Sequence, residues 1–120
     1  MIQIKFLYEY PDVSGPQDFI GVVDVNRARK YLVGGNEPIG KLSKNLRIEF
    51  DFRSKETFEF TCEGDFWTLD QLLRAIVRGY RYMYQAPRRY GVYGHVIEDL
   101  VIEAIYMTDD GKKITLAIGS

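Results

Sequence analysis

At 120 residues, 46% hydrophobic and 28% charged, the chain is long enough to bury its own core and too apolar to be disordered. A formal net charge of −1 excludes the broad basic excess that general nucleic-acid binding depends on, though not a local basic site. Cys62 is the only cysteine, which excludes an intrachain disulfide and a cysteine-rich zinc site and fits a reducing compartment.

The first ten residues alternate, with Ile2, Ile4, Phe6, Tyr8 and Tyr10 on one face and Gln3, Lys5 and Glu9 on the other. Period-two patterning predicts a half-buried strand, ended by Pro11 in PDVSGP. It is not a signal peptide, which needs a basic region followed by an apolar block. Residues 18–25 (DFIGVVDV) read as a second strand with a bulge position at Gly21, forming a long-looped hairpin with the first. Asn26 is placed to cap a short helix through Tyr31 and Leu32, stopped by Gly34 and Gly35. Residues 34–45, GGNEPIGKLSKN, form the longest polar loop.

Leu46, Ile48, Phe50 and Phe52 then alternate with Arg47, Glu49 and Asp51. Beyond an RSKE turn, Phe58, Phe60 and Cys62 alternate with Glu59 and Thr61. This predicts a hairpin with four phenylalanines on one face. Thr68 is the natural N-cap of the next element, with Gln71 at capping-box spacing and Trp67 and Leu72 placed as a hydrophobic staple. Leu69, Leu72, Leu73, Ile76, Val77, Tyr80 and Tyr84 make one apolar stripe, and Pro87 ends the helix near Gln85. A loop over 86–95 leads to DLVIEAIYMT, a DDGK turn and KITLAIGS, a further hairpin.

The pattern predicts a single α+β domain over residues 1–120. Its antiparallel sheet has about six strands in hairpins, with one long amphipathic helix (about 69–85) packed on one face. No apolar run approaches the roughly 20 residues of a membrane helix, so a cytoplasmic protein is the default expectation.

Candidate chemistry is sparse. Gly35 to Lys41 matches the first part of a phosphate-binding loop, but Leu42 stands where Ser or Thr would hold magnesium, and a strand follows instead of a helix. Cys62 continues an inward-facing row, where cysteine behaves as a small hydrophobe and not as a nucleophile. His95 has Glu98 and Asp99 close behind it, an arrangement that serves either a general base or the fixing of a loop. No catalytic set, metal-ligand spacing or cofactor motif is expected from these residues.

Charge is unevenly placed. Residues 71–97 carry five arginines (Arg74, Arg78, Arg81, Arg88, Arg89), five of the nine tyrosines (Tyr80, Tyr82, Tyr84, Tyr90, Tyr93) and no carboxylate. Residues 48–70 carry seven carboxylates against two basic side chains. With Tyr80 and Tyr84 on the buried stripe, Tyr82, Tyr90 and Tyr93 are left to present rings. Arginine and tyrosine are enriched at protein–protein hot spots and also clamp and stack RNA. Cations late in a helix equally complement its dipole. The acidic hairpin, with Glu49, Asp51, Glu59, Glu63 and Asp65, is a second candidate surface, or plain solubility.

The run Tyr90-Gly91-Val92-Tyr93-Gly94-His95, followed by Asp99-Leu100-Val101-Ile102-Glu103, resembles a segment of small, little-characterised bacterial domains. Some of these are associated with polymorphic toxin systems, where small α+β proteins act as immunity partners. In that pattern an aromatic, often Trp, precedes Gly-His; here it is Tyr93. The resemblance implies a stoichiometric protein-binding role and no catalysis.

Three expectations follow. The first is a non-enzymatic module that binds another protein, most concretely an immunity-type inhibitor occluding a toxin, through Tyr82, Arg88, Arg89, Tyr90, Tyr93 and His95. The second is an RNA- or nucleotide-binding domain using the Arg/Tyr segment 74–95. The third is a small enzyme with His95 as general base, oriented by Glu98 or Asp99.

Overall fold

The structure, a computed structural model, describes residues 1–52, 54–92 and 94–120. Six strands share one sheet: Ile2–Ile4 (β1), Ile20–Gly21 (β2), Asn45–Phe52 (β3), Ser54–Thr61 (β4), Val101–Met107 (β5) and Lys113–Gly119 (β6). Helix α1 spans Leu69–Tyr84, and a single turn, α2, spans Pro87–Tyr90. The spatial order is β1-β5-β6-β3-β4, with β2 also paired to β5.

The α+β class and the helix agree with the sequence pattern. Thr68 caps α1, its side chain accepting the Gln71 amide at 3.2 Å, and Asp70 and Arg81 suit the two ends of the dipole. Leu72, Leu73, Ile76 and Tyr80 are fully buried from one face of the helix. Trp67, also buried, satisfies its indole N–H on the Ser43 carbonyl at 2.9 Å.

The sheet is antiparallel with one exception: β3 and β6 run parallel, Arg47 opposite Lys113 and Ile48 opposite Ile114. Two hairpins lie side by side, so β4 and β5 point the same way. Parallel strands need a long crossover, and α1 supplies it across the sheet face. Because β3 and β6 are far apart in sequence, no local turn signal announces their pairing.

The N-terminal third departs from its local pattern. β1 and β2 do not form a hairpin with each other; both lie antiparallel on the free side of β5, β1 against Ile105–Met107 and β2 against Val101 and Ile102. The chain between them loops out, with Tyr8 and Gln17 exchanging backbone bonds of 2.8 and 2.9 Å and Tyr8 also bridged to Leu32. Val22–Asp24 turns as a 3₁₀ segment instead of extending the strand, its first amide (Val22) bound to the Leu100 carbonyl at 2.9 Å. The short helix expected after Asn26 shrinks to one 3₁₀ turn, Arg29–Tyr31, with Ala28 and not Asn26 at its N-cap. Ser54–Glu56, expected as turn, is strand, and Arg53 lies outside the described residues. The loop expected over 86–95 contains α2, started by Pro87 at its first position and closed by Gly91 at φ 69°.

Helix and sheet approach most closely where Gly79 meets Phe50. A Cβ at Gly79 would overlap the Phe50 ring. That ring is fully buried and packs edge-on against Tyr80 at 4.9 Å, with Phe58 and Phe60 at 5.7 and 6.2 Å. It has nowhere to go. On an exposed helix Gly→Ala gains about 1 kcal/mol, but here the overlap reverses the sign. Gly79→Ala is expected to lower unfolding free energy by about 1–3 kcal/mol in urea denaturation, a magnitude typical of overpacked cores.

Burial also governs two phenols. Burial first, then the charges of Tyr10 and Asp70, pushes the Tyr8 hydroxyl well above the ordinary 10.0. Burial, then Asp51 and Tyr84, does the same for Tyr80. A folded value above the unfolded one means the stabilisation is complete below pH 10 and is lost as pH climbs beyond it. Ultraviolet titration is expected to show both phenols silent until alkaline unfolding exposes them; early titration in the native state would contradict this.

Candidate functional site

Arg78 and Tyr82 are one helical turn apart on α1, on the side that overlooks β4. Because β4 is the last strand of the sheet, its inward-facing Phe58 and Phe60 are only half-covered, while their β3 partners Ile48 and Leu46 are fully buried. Helix and strand thus leave an open, mostly apolar cleft of about 340 Å³, lined by Phe58, Glu59, Phe60, Arg78, Gly79 and Tyr82.

Three rings meet at one end of this cleft. Phe58 lies edge-on to Tyr82 at 5.4 Å and to Tyr90 at 5.9 Å, and Tyr82 and Tyr90 are 5.8 Å apart. Tyr82 is 51% exposed, whereas Tyr90 is 6% exposed. Tyr90, expected to present its ring, is instead a packed anchor that ties α2 to the hairpin. Hydrogen bonding with Tyr82, ahead of burial, raises its phenol above the ordinary value. Tyr93 lies outside the described residues.

The arginines divide into two groups. Arg74 turns toward Asp70, its Nε donating to Oδ2 at 3.0 Å. The same carboxylate takes a two-pronged grip from Arg29, Nε to Oδ1 at 3.0 Å and Nη2 to Oδ2 at 2.9 Å. Asp70 is 8% exposed, so these charges fasten the 3₁₀ turn at Arg29 to the first turn of α1. Arg78, Arg81, Arg88 and Arg89 form no carboxylate ion pair among the described residues. Arg78 lies over the Phe60 ring at 5.8 Å and Arg89 over the Tyr90 ring at 5.4 Å, framing the cleft with two cations.

The acidic hairpin face is built differently. On the side away from α1, Glu59 sits opposite Arg47, and Asp51 opposite Lys55. Glu49 takes the Lys113 ammonium at 3.3 Å. The carboxylates that look like a block in the sequence are interleaved with cations across the strands. Glu56, Glu63 and Asp65 stand outside this interleaving and form no ion pair among the described residues.

His95 precedes the 3₁₀ turn Ile97–Asp99, and its Nδ1 is 4.0 Å from Asp99 Oδ2, which also accepts the Val96 amide at 3.4 Å. That places it with the carboxylate the sequence offered but not on the lining of the aromatic cleft. Cys62 is buried, its thiol directed to the Gly64 carbonyl at 3.6 Å. The loop from Gly35 to Lys41 runs into β3, and its Gly35 carbonyl takes the Asp70 amide at 2.9 Å, so that amide faces no open phosphate cradle. Among the described residues no group of three or more His, Cys, Asp and Glu side chains is placed to hold a metal ion. No described helix is long and apolar enough to cross a membrane.

Three participants escaped the sequence. Phe58 and Phe60 read as core because alternation reports a face, not whether the strand is at an edge. Asp70 read as one carboxylate in an acidic run; its partner Arg29 is 41 residues away. No family model matches the chain, and neither a curated protein nor a solved structure matches it.

Tyr82 and Tyr90 are adjacent but unlike, which gives a direct check. Tyr90→Ala is expected to cost about 3 kcal/mol or more in denaturant unfolding, as large buried aromatics do. Tyr82→Ala, losing a half-exposed ring, is expected to cost about 1 kcal/mol. Equal costs would mean the two rings share one burial environment.

Proposed function

We propose that this protein is a non-enzymatic protein-binding module of the cytoplasm, most concretely an immunity-type inhibitor that occludes a partner toxin. One observation carries the reading: a half-exposed tyrosine is braced by two further rings and framed by guanidinium groups that have no carboxylate partner among the described residues. A braced aromatic loses little rotamer freedom on docking, and arginine beside it adds directional hydrogen bonds, the combination found at interface hot spots. Cations without a carboxylate partner among the described residues fit a partner surface rich in carboxylates. A standard interface takes about 800 Å² per partner, a modest share of the 6939 Å² accessible here. The likeness of residues 90–103 to immunity-associated domains supplies the specific form.

Co-expression with the product of the neighbouring gene, followed by titration calorimetry, tests this. A one-to-one complex is expected, weakened about thirtyfold by Tyr82→Ala, the size of a hot-spot loss of about 2 kcal/mol. Phe19→Ala, at an exposed site remote in the chain, is the control and leaves affinity unchanged. No complex, or one indifferent to Tyr82 and Arg89, contradicts the reading. Binding of single-stranded RNA with affinity falling steeply in salt would point to nucleic-acid recognition instead.

A further inference from the structure

We propose that the partner of this surface docks by adding a strand to the open edge of β4, and that the docking segment is an extended acidic chain. The inference rests on the protein-binding reading and names how that binding is made.

Among the described residues nothing pairs with this edge, and its polarity is set by the register. The Cys62 amide donates to the Lys44 carbonyl at 3.0 Å, in line with the pairing of Asn45 with Thr61. Hydrogen-bonded pairs in this antiparallel ladder therefore fall at even positions: Leu46 with Phe60, Ile48 with Phe58, Phe50 with Glu56. The backbone groups of Lys55, Thr57, Glu59 and Thr61 point the other way, out of the sheet. Among the described residues no strand, bridge or loop amide pairs with them. The register runs without a bulge from Thr61 to Ser54, and the described strand has no proline. Edges of this kind are normally blunted; this one carries Lys55 and Glu59 on its outer face and one carboxylate, Glu56, on the face toward α1, where its charge acts on Tyr90 beside Arg89.

A strand added there would direct alternate side chains toward α1, into the cleft beside Phe58, Phe60 and Tyr82. Apolar residues fit that lining. Arg78 and Arg89, at the rings of Phe60 and Tyr90, would meet carboxylates on the same segment. Glu59 lines the cleft too, but lies opposite Arg47 across the hairpin. A second copy of this chain is a poor occupant, because pairing β4 with β4 would set the same arginines against each other across the two-fold axis.

The probe is a fluorescein-labelled ten-residue peptide alternating valine and glutamate, with a valine–lysine twin as control. Anisotropy is expected to show at least tenfold tighter binding of the glutamate peptide, and amide exchange by NMR to show new protection at Lys55, Thr57, Glu59 and Thr61. Thr57→Pro removes an N–H that serves no bond within the sheet, so the fold holds while peptide affinity falls at least tenfold. Should that variant not fold, Arg78→Glu with Arg89→Glu, both at exposed sites, carries the test with the same expected loss. Binding that leaves those four amides unprotected, equal affinity for both peptides, or self-association through β4 overturns the proposal. If the complex with the neighbouring gene product survives Thr57→Pro yet still depends on Tyr82, strand addition falls and the protein-binding reading stands.

Discussion

The contact between Gly79 and the Phe50 ring fixes where everything else sits. Missing a side chain at one point lets α1 settle onto β3, and the ring fills the space a Cβ would need. From that crossing point, the register of the helix places Arg78 and Tyr82 over the outermost strand. Had the helix crossed nearer the sheet centre, Phe58 and Phe60 would face solvent. Had it crossed further out, it would cover the edge. Its position does neither, and a narrow apolar cleft results beside an edge that no described residue pairs with. At the other end of the helix, the grip of Arg29 and Arg74 on Asp70 holds its first turn against the N-terminal loops.

Charge supports the same asymmetry. Along β3 and β4 acidic and basic side chains stand opposite one another across the ladder, and Glu49 reaches Lys113 on the neighbouring strand. Along α1 and α2 four arginines have no acidic partner among the described residues. The contrast between these blocks is plain in the linear chain, and the ion pairs of Glu49 and Asp70 lessen it. What remains is a cationic rim around aromatic surface. Such a rim favours encounter with acidic partners and fixes their register more than it adds bulk affinity.

Much of the fold was legible because it is local. The Thr68 cap, the apolar stripe to Tyr80 and the stop before Pro87 define α1 from neighbours a few residues apart. The alternation around Phe50 and Phe58, and the Asp-Asp-Gly turn, define two hairpins for the same reason. What local pattern does not contain is which edge a strand will choose. β1 joins β5 from a hundred residues away, and the parallel seam between β3 and β6 exists only once α1 has carried the chain across. The candidate site shows the same division. Tyr82 and the arginines were visible as composition, but the burial of Tyr90, the opening beside Phe58 and Phe60, and the capture of Arg74 by Asp70 depend on tertiary placement.

The central claim is that β4 carries an unsatisfied backbone edge next to that rim. Hydrogen exchange of the free protein, resolved amide by amide, measures it directly. The account predicts alternation along the strand: slow exchange at Glu56, Phe58 and Phe60, whose amides face β3, and fast exchange at Lys55, Thr57, Glu59 and Thr61. Uniform protection from Lys55 to Thr61 would mean the edge is already covered, and the docking surface described here would not exist.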